Sequence, residues 1–522
     1  MTGTTTKIFR INTAEQFRDS LIETSPTRMY MFFGRTTPFA NDSSPPAIAN
    51  DVLTTRYDCY KDMMLLRRIY SSDSIHVVPR FNWTTDTVYT QYTDNDATLF
   101  GKQFYVITSD NNVYKCIDNN RGAQSTIEPS GTSVSIFRTS DGYRWKFMFT
   151  VSSADSLKFM TDSYIPIRDV TSGDGSAQES VRNAAANGSI EHITITANGT
   201  GYLSISNTFA LVTNSTVLSF GAEASQVDDI YTGSTIYVLS GKGAGQIRRI
   251  TKYAGVGRIA TVNGAFSISP NTASTYLVGP NIIIGGDSGA AFAQRAIAYV
   301  ANAQGGQVRK ITMINTGRHY STANVTISAN SNYGSGATAR AILSPSGGHG
   351  SNGREELGSD TIMFSVSISG AEANTIGIGN DFRTIGLIRD PLLRSGPFAN
   401  TATIDQCSRI VVSNVLGSYR NDEVLVGSSS GAKARVVSFA NTNDAGTSGT
   451  LRAIRVTTNG TGISFTSGET LTGQSSSTTA TVSSFTKPAV REGTGDVLYI
   501  ENKTPIVRAA DQIEDFRFVM AF

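Results

Sequence analysis

At 522 residues the chain is too long for one ordinary core, and domains of about 100–200 residues imply roughly three or four of them. A hydrophobic fraction of 39% can fill such cores, while 49 Gly among many Ser, Thr and Asn residues favour strands and turns over helices. With 44 Lys and Arg against 42 Asp and Glu, no global field draws the chain to nucleic acid or to an anionic membrane, so the expected partners are proteins. Three widely spaced cysteines, Cys59, Cys116 and Cys407, suggest neither a disulfide framework nor a thiolate zinc site and fit folding in a reducing cytoplasm. No segment approaches the ~20 apolar residues of a membrane span, and the first ten residues are not followed by a signal-peptide apolar run, so neither membrane insertion nor signal-led export is expected.

Residues 1–171 hold both tryptophans and two of the cysteines and are expected to form an amino-terminal core domain, mixed with β dominant. Helical spacing of Phe17, Leu21 and Ile22 after the cap Thr13 predicts a helix over 14–24, and a second fits 57–70. Runs at 104–108, 113–117 and 145–151 predict strands, with turns at Asp110-Asn111-Asn112 and Asp141-Gly142.

From residue 172 to about 345 Gly, Ser, Thr and Ala dominate, and inserted β modules with internal repeats are expected. Three fifteen-residue stretches align without gaps at 188–202, 306–320 and 449–463. Each carries an apolar third residue, Ile at the sixth position and Gly at the twelfth (Gly199, Gly317, Gly460), the pattern of a short strand running into a turn that requires positive φ. A Ser-Gly-Ala element recurs at Ser288, Ser335 and Ser430, giving a module of about 45–50 residues. A further set of strands around glycine turns occupies 234–279. Residues 346–406 and 486–522 return to dense apolar alternation and are expected to pair with the first domain; 407–485 forms a second repeat-type β module. The expected architecture is therefore mainly β: β-sandwich domains with a few short helices, in a discontinuous core domain carrying inserted small β modules.

Chemical motifs all have plainer explanations. Gly286-Asp287-Ser288-Gly289 resembles the surroundings of a protease nucleophile, but Ser-Gly-Ala recurs at 335 and 430 with no preceding Asp, and none of His76, His192, His319 and His349 lies in a recognisable base motif. The glycine-rich 240–245 lacks the order of a phosphate loop. Four scattered His and three scattered Cys offer no zinc-ligand spacing. Paired Glu355-Glu356 and Asp228-Asp229 would point to opposite faces in a strand instead of flanking one bond, and solvated turns account for them. No catalytic, cofactor-binding or metal-binding residue is assigned, and no enzyme activity is expected.

Several ordered segments carry a resemblance. Residues 29–39 (MYMFFGRTTPF), 79–83 (PRFNW), 113–118 (VYKCID) and 141–147 (DGYRWKF), then 495–506 (GDVLYIENKTPI) with Asp511-Gln512 and the last strand, resemble the baseplate wedge subunit of T-even-like contractile-tailed phages. The likeness covers about 25–170 and 490–522, with 380–391 similar to longer relatives; the modules between are a departure from the shorter T-even pattern. It implies a β-sandwich-rich homodimer without catalytic residues, held in a virion tail baseplate by other wedge proteins and made in the host cytoplasm. Aromatic-rich segments could supply interface anchors if exposed: Phe32, Phe33, Phe39, Tyr143 and Trp145. The competing expectation is a receptor-binding, adhesin-like tail protein whose β modules contact a host-surface glycan.

Overall fold

The computed structural model describes residues 4–47, 52–287, 295–329, 334–370, 380–456, 464–509 and 511–522. The chain is mainly β, with 44% of the described residues in strands and 10% in helices. Its contacts define two compact units, one of Met1–Val77, Leu157–Met160 and Ser359–Phe522, the other of Val78–Ser156 and Thr161–Gly358. The composition of the chain changes at 171, 345, 406 and 485, but its contacts divide it after Val77, because 78–156 packs with the modules that follow it.

In the first unit an antiparallel sheet runs in the order Thr403–Asp405, Met63–Ile69, Met29–Gly34, Asp381–Arg389, Asp496–Val507. The central strand Met29–Gly34 is buried along its whole length, which explains its unbroken apolar run. Met29, Met31 and Phe33 face a second sheet through Phe364, Val366 and Phe518, whereas Tyr30 and Phe32 face Cys59, Tyr60 and Ile404. A side chain at Gly386 would collide with the Phe32 ring and the Tyr499 carbonyl, so that position has room only for hydrogen. The second sheet pairs Ile513–Ala521 with Thr361–Ser369 and the latter with Ser74–Pro79, so Thr361–Ser369 and Asp381–Arg389 lie beside amino-terminal strands, while Ile513–Ala521 and Asp496–Val507 pair with those two strands in turn.

Two helix expectations shift. The first helix is Lys7–Asp19, because Thr6 rather than Thr13 caps it, its Oγ1 accepting from Phe9 N at 3.2 Å. Phe17 still packs inward, 5.3 Å from the Phe522 ring. The second stops at Asp62, and Met63–Ile69 is a strand, since pairing with Met29–Gly34 overrides a short apolar run that either conformation could hold.

Residues 408–486 close into a six-stranded barrel, Ser408–Leu416, Ser448–Arg455, Lys433–Asn441, Val424–Gly427, Thr470–Gly473 and Thr479–Thr486, around Ile410, Leu425, Val436, Leu451 and Leu471. A duplication not singled out in the sequence organises it: Glu423-x-Leu425-x-Gly427 with Ser429 and Ser430 matches Glu469-x-Leu471-x-Gly473 with Ser475 and Ser476. Each glutamate accepts from the other copy's serine amides. Glu469 Oε2 takes Ser429 N at 3.0 Å and Ser430 N at 2.9 Å; Glu423 Oε2 takes Ser475 N at 3.2 Å and Ser476 N at 3.0 Å.

In the second unit a four-stranded sheet, Tyr105–Ile107, Asn112–Asp118, Arg144–Thr150 and Phe137–Arg138, packs Tyr89, Tyr114, Tyr143, Trp145 and Phe147 into one aromatic core. The repeat becomes strands Ile190–Thr200 and Gln307–Asn315, with Ser448–Arg455 as its third copy in the barrel. The third positions Ile190, Val308 and Leu451 are all buried, and Gly199 and Gly317 have φ of 64° and 63°; Gly460 lies outside the described residues. The first two copies bond reciprocally, Tyr202 N donating to Gly306 O at 2.9 Å and Tyr320 N to Gly188 O at 3.1 Å. Residues 205–278 form a separate seven-stranded sheet with its own core of Phe209, Phe220, Ile236, Tyr253 and Tyr276.

Candidate functional site

The aromatic side chains flagged as interface anchors do not form one. Phe32, Phe33, Tyr143 and Trp145 are buried inside their own units, where large apolar rings gain most from leaving water. Phe39 alone stays half-buried, beneath the Arg35 guanidinium at 4.3 Å from the ring centroid.

Nor do the chemical motifs converge. Ser288 lies outside the described residues; the preceding Asp287 accepts from Ser321 N at 3.0 Å, Thr322 N at 2.8 Å and the Ser321 hydroxyl, which makes it a turn cap. Gly241, Gly243 and Gly245 all have positive φ in a hairpin turn. Asp228 and Asp229 cap Gly255 N at 2.7 Å and Tyr253 N at 3.3 Å. Glu355 and Glu356 sit on a helix, Gly353–Leu357, and Glu356 is buried, not in a solvated turn, because Asn352 caps the helix and Gly358 closes it in the left-handed region. Among the described residues no group of three or more His, Cys, Asp or Glu could hold a metal ion; His192 Nδ1 lies 3.6 Å from Asp118 and His349 sits beside Glu356.

One buried charge cluster stands out in the second unit. Lys115 Nζ pairs with Glu356, whose other oxygen accepts from Gly350 N at 2.6 Å, and Lys115 lies 4.7 Å from the Tyr92 ring centroid. Burial alone would raise the Glu356 carboxyl, but Lys115 and His349 outweigh it and hold it at about 2. Burial, with Lys115 assisting, pushes the His349 imidazole down to about 4. All three groups are sealed from solvent, so the cluster ties the short helix to the sheet and offers no surface to a substrate.

The exposed chemistry of the first unit lies at its closing strands. Asp496–Val507 is the edge of the five-stranded sheet, and Ile513–Ala521 is the edge of the sheet it faces. Arg508, between them, is buried and bound by Glu514 at 2.7 Å and by the Gly370 carbonyl at 2.8 Å, which fixes the crossing from one sheet to the other. Tyr499 and Phe518 meet edge to face at 5.9 Å. Between the strands opens a groove of about 700 Å³ lined by Leu498, Tyr499, Ile506, Phe516, Phe518 and Met520. Leu498, Tyr499, Val507, Ile513 and Val519 are 37–68% exposed. Soluble proteins ordinarily blunt such edges with charge or cover them; here two adjacent edges carry apolar residues, with Glu501, Lys503, Asp515 and Arg517 alongside. Alternation marks these segments as strands that need neighbours, but which strand ends a sheet is not encoded in alternation.

No family model matches the chain, and no curated protein matches it. Among solved structures it is similar to a chain from the virion of a native gene transfer agent particle, at 10% identity over 51% of this chain and 83% of that one, with a TM-score of 0.15. So shallow a superposition carries no argument about fold or function.

Proposed function

We propose that this protein is a structural subunit of a contractile phage tail, built into the baseplate wedge of the virion, that works by offering fixed surfaces to a second copy of itself and to other wedge proteins and has no catalytic role. The observation that carries the reading is the pair of unpaired, apolar edge strands around the 700 Å³ groove, a surface suited to sheet extension or apolar docking. The segments that resemble the wedge subunit support it: the strands of 29–39 and 495–506, from opposite ends of the chain, belong to the same five-stranded sheet, and those of 113–118 and 141–147 are neighbours in the four-stranded sheet of the second unit.

A net charge of +2 gives neither self-repulsion nor steering, leaving shape and apolar contact to decide association. Light scattering on the purified chain is expected to give a dimer at low and at high salt, since an apolar interface is not screened. Tyr499→Lys combined with Val519→Lys is expected to give a monomer with an unchanged unfolding temperature. A wild-type monomer under both conditions would remove the dimer, and failure to co-purify with the other wedge proteins of the same virion would remove the baseplate role.

A further inference from the structure

The second unit contains a groove of about 930 Å³ that the assembly reading does not use. Its walls are the outer side of the four-stranded sheet, the strand Ile190–Thr200 and the hairpin strands Ile297–Gln304 and Gln307–Asn315, so the two reciprocally bonded repeat copies form much of one wall.

Its charge is one-sided. Arg121, Arg138, Arg144, Arg309 and Lys310 line it against only Asp118 and Glu191. Arg144 is committed to the Glu191 carbonyl at 2.7 Å, and Arg138 reaches Asp118 at 3.7 Å. Arg121, Arg309 and Lys310 form no ion pair among the described residues, although each has the reach to find one. Arg121 is presented from a left-handed turn position, φ 64°, next to Asn120 at φ 50° and Gly122 at φ 78°. Three uncompensated cations converging on one concavity raise the local anion concentration far more than the same charges spread over a convex surface.

The remaining lining includes the amides and hydroxyls Gln91, Asn198, Asn302, Gln304, Thr194 and Thr312, beside the apolar Ile193, Ile195, Ile311 and Met313. The amides and hydroxyls donate and accept, as recognition of a polyhydroxylated ligand requires. Among the described residues no Phe, Tyr or Trp lines the groove, so nucleobases would find no stacking platform there. A volume near the top of the usual 300–1,000 Å³ for ligand sites, open along a strand, suits several linked units better than one small ion.

We infer that this groove binds an acidic oligosaccharide, its carboxylates or phosphates on Arg121, Arg309 and Lys310 and its hydroxyls on the amide side chains. This goes beyond the assembly role and does not rest on it, because the groove lies wholly in the second unit and the edge strands lie in the first.

Titration calorimetry on the full chain with a short oligogalacturonate tests it, against the same oligosaccharide methyl-esterified and against a single-stranded oligodeoxynucleotide. One saturable site per chain is expected, with affinity falling as salt rises and at least about tenfold lower for the ester. Arg309→Ala and Lys310→Gln are expected each to weaken binding by about tenfold. Arg121→Ala, on a different wall, should do the same, and all three variants should keep the wild-type unfolding temperature and oligomeric state. Absence of binding, equal affinity for the ester, tighter binding of the oligodeoxynucleotide, or wild-type affinity in all three variants would overturn the assignment.

Discussion

Two carboxylates in this protein solve the same problem, that of placing a charge where water is scarce, in different ways. Glu356 relies on a counter-charge, Lys115, so removing the partner should be costly: Lys115→Met is expected to destabilise the second unit by about 3–5 kcal/mol, and the double change Lys115→Met with Glu356→Leu to recover most of it, as read by denaturant unfolding. Glu469 instead relies on backbone amides. Burial opposes its ionisation, but the amides of Ser430, Thr466 and Ser429 outweigh that and keep its carboxyl below the ordinary range. The same packing explains Gly427 and Gly473, where a methyl group would collide with Ser430 and Glu469, or with Ser476 and Glu423. Acid sensitivity follows from the first cluster. The folded values of His349 and Glu356 both lie below the ordinary 6.5 and 4.5, so the unfolded chain takes up protons first as pH falls. The stability they contribute is complete above 6.5, declines as pH drops towards 4 through His349, and is lost further from 4.5 towards 2 through Glu356. Urea unfolding across that range should show the decline, and His349→Phe should remove its upper part.

At the scale of elements, only part of 172–345 behaves as an ornament. Arg340 binds Asp94 and lies 3.0 Å from Asn95, and Gln91 reaches Thr194 at 3.4 Å, so the strands 190–200 and 335–343 are fastened to residues before them. Residues 205–278 differ, for they bury their own core and enter and leave side by side, Ile205 pairing with Val278. Replacing 203–280 by a short Gly-Ser linker is therefore expected to leave a soluble chain that still unfolds cooperatively, with a smaller denaturant slope because less surface is exposed. The visible loss should be the Tyr237–Tyr299 stack at 4.1 Å, worth about 0.5–1.5 kcal/mol. Aggregation or a broad transition would show that this sheet completes a larger core.

For the molecule as a whole, the two open surfaces differ in kind and should respond to opposite perturbations. The groove at Leu498, Tyr499 and Phe518 is apolar, so association through it should survive high salt and fail on Tyr499→Lys with Val519→Lys. The groove at Arg121, Arg309 and Lys310 is cationic, and binding there should weaken with salt and be untouched by those two changes. Measuring both properties on both sets of variants separates an assembly surface from a ligand site.

The linear sequence determined what depends on neighbours along the chain. Its glycine and β-branched content set the fold class, and the apolar third and sixth positions of the repeat became buried strand positions at Ile190, Ile193, Val308, Leu451 and Ile454. Gly199 and Gly317 took the positive φ their position in the repeat required. The tertiary structure decided what depends on distant partners. Met63–Ile69 became a strand only because Met29–Gly34 lies beside it, and whether Phe32, Phe33, Tyr143 and Trp145 were core or interface was decided, for core, by the sheets and helices that close over them. Lys115 and Glu356, 241 positions apart, were brought together by packing alone. The same holds for the candidate surfaces: alternation marks one face of a strand as buried, but whether that strand ends its sheet, and which cations share a groove, is fixed by contacts across the fold that no local pattern records.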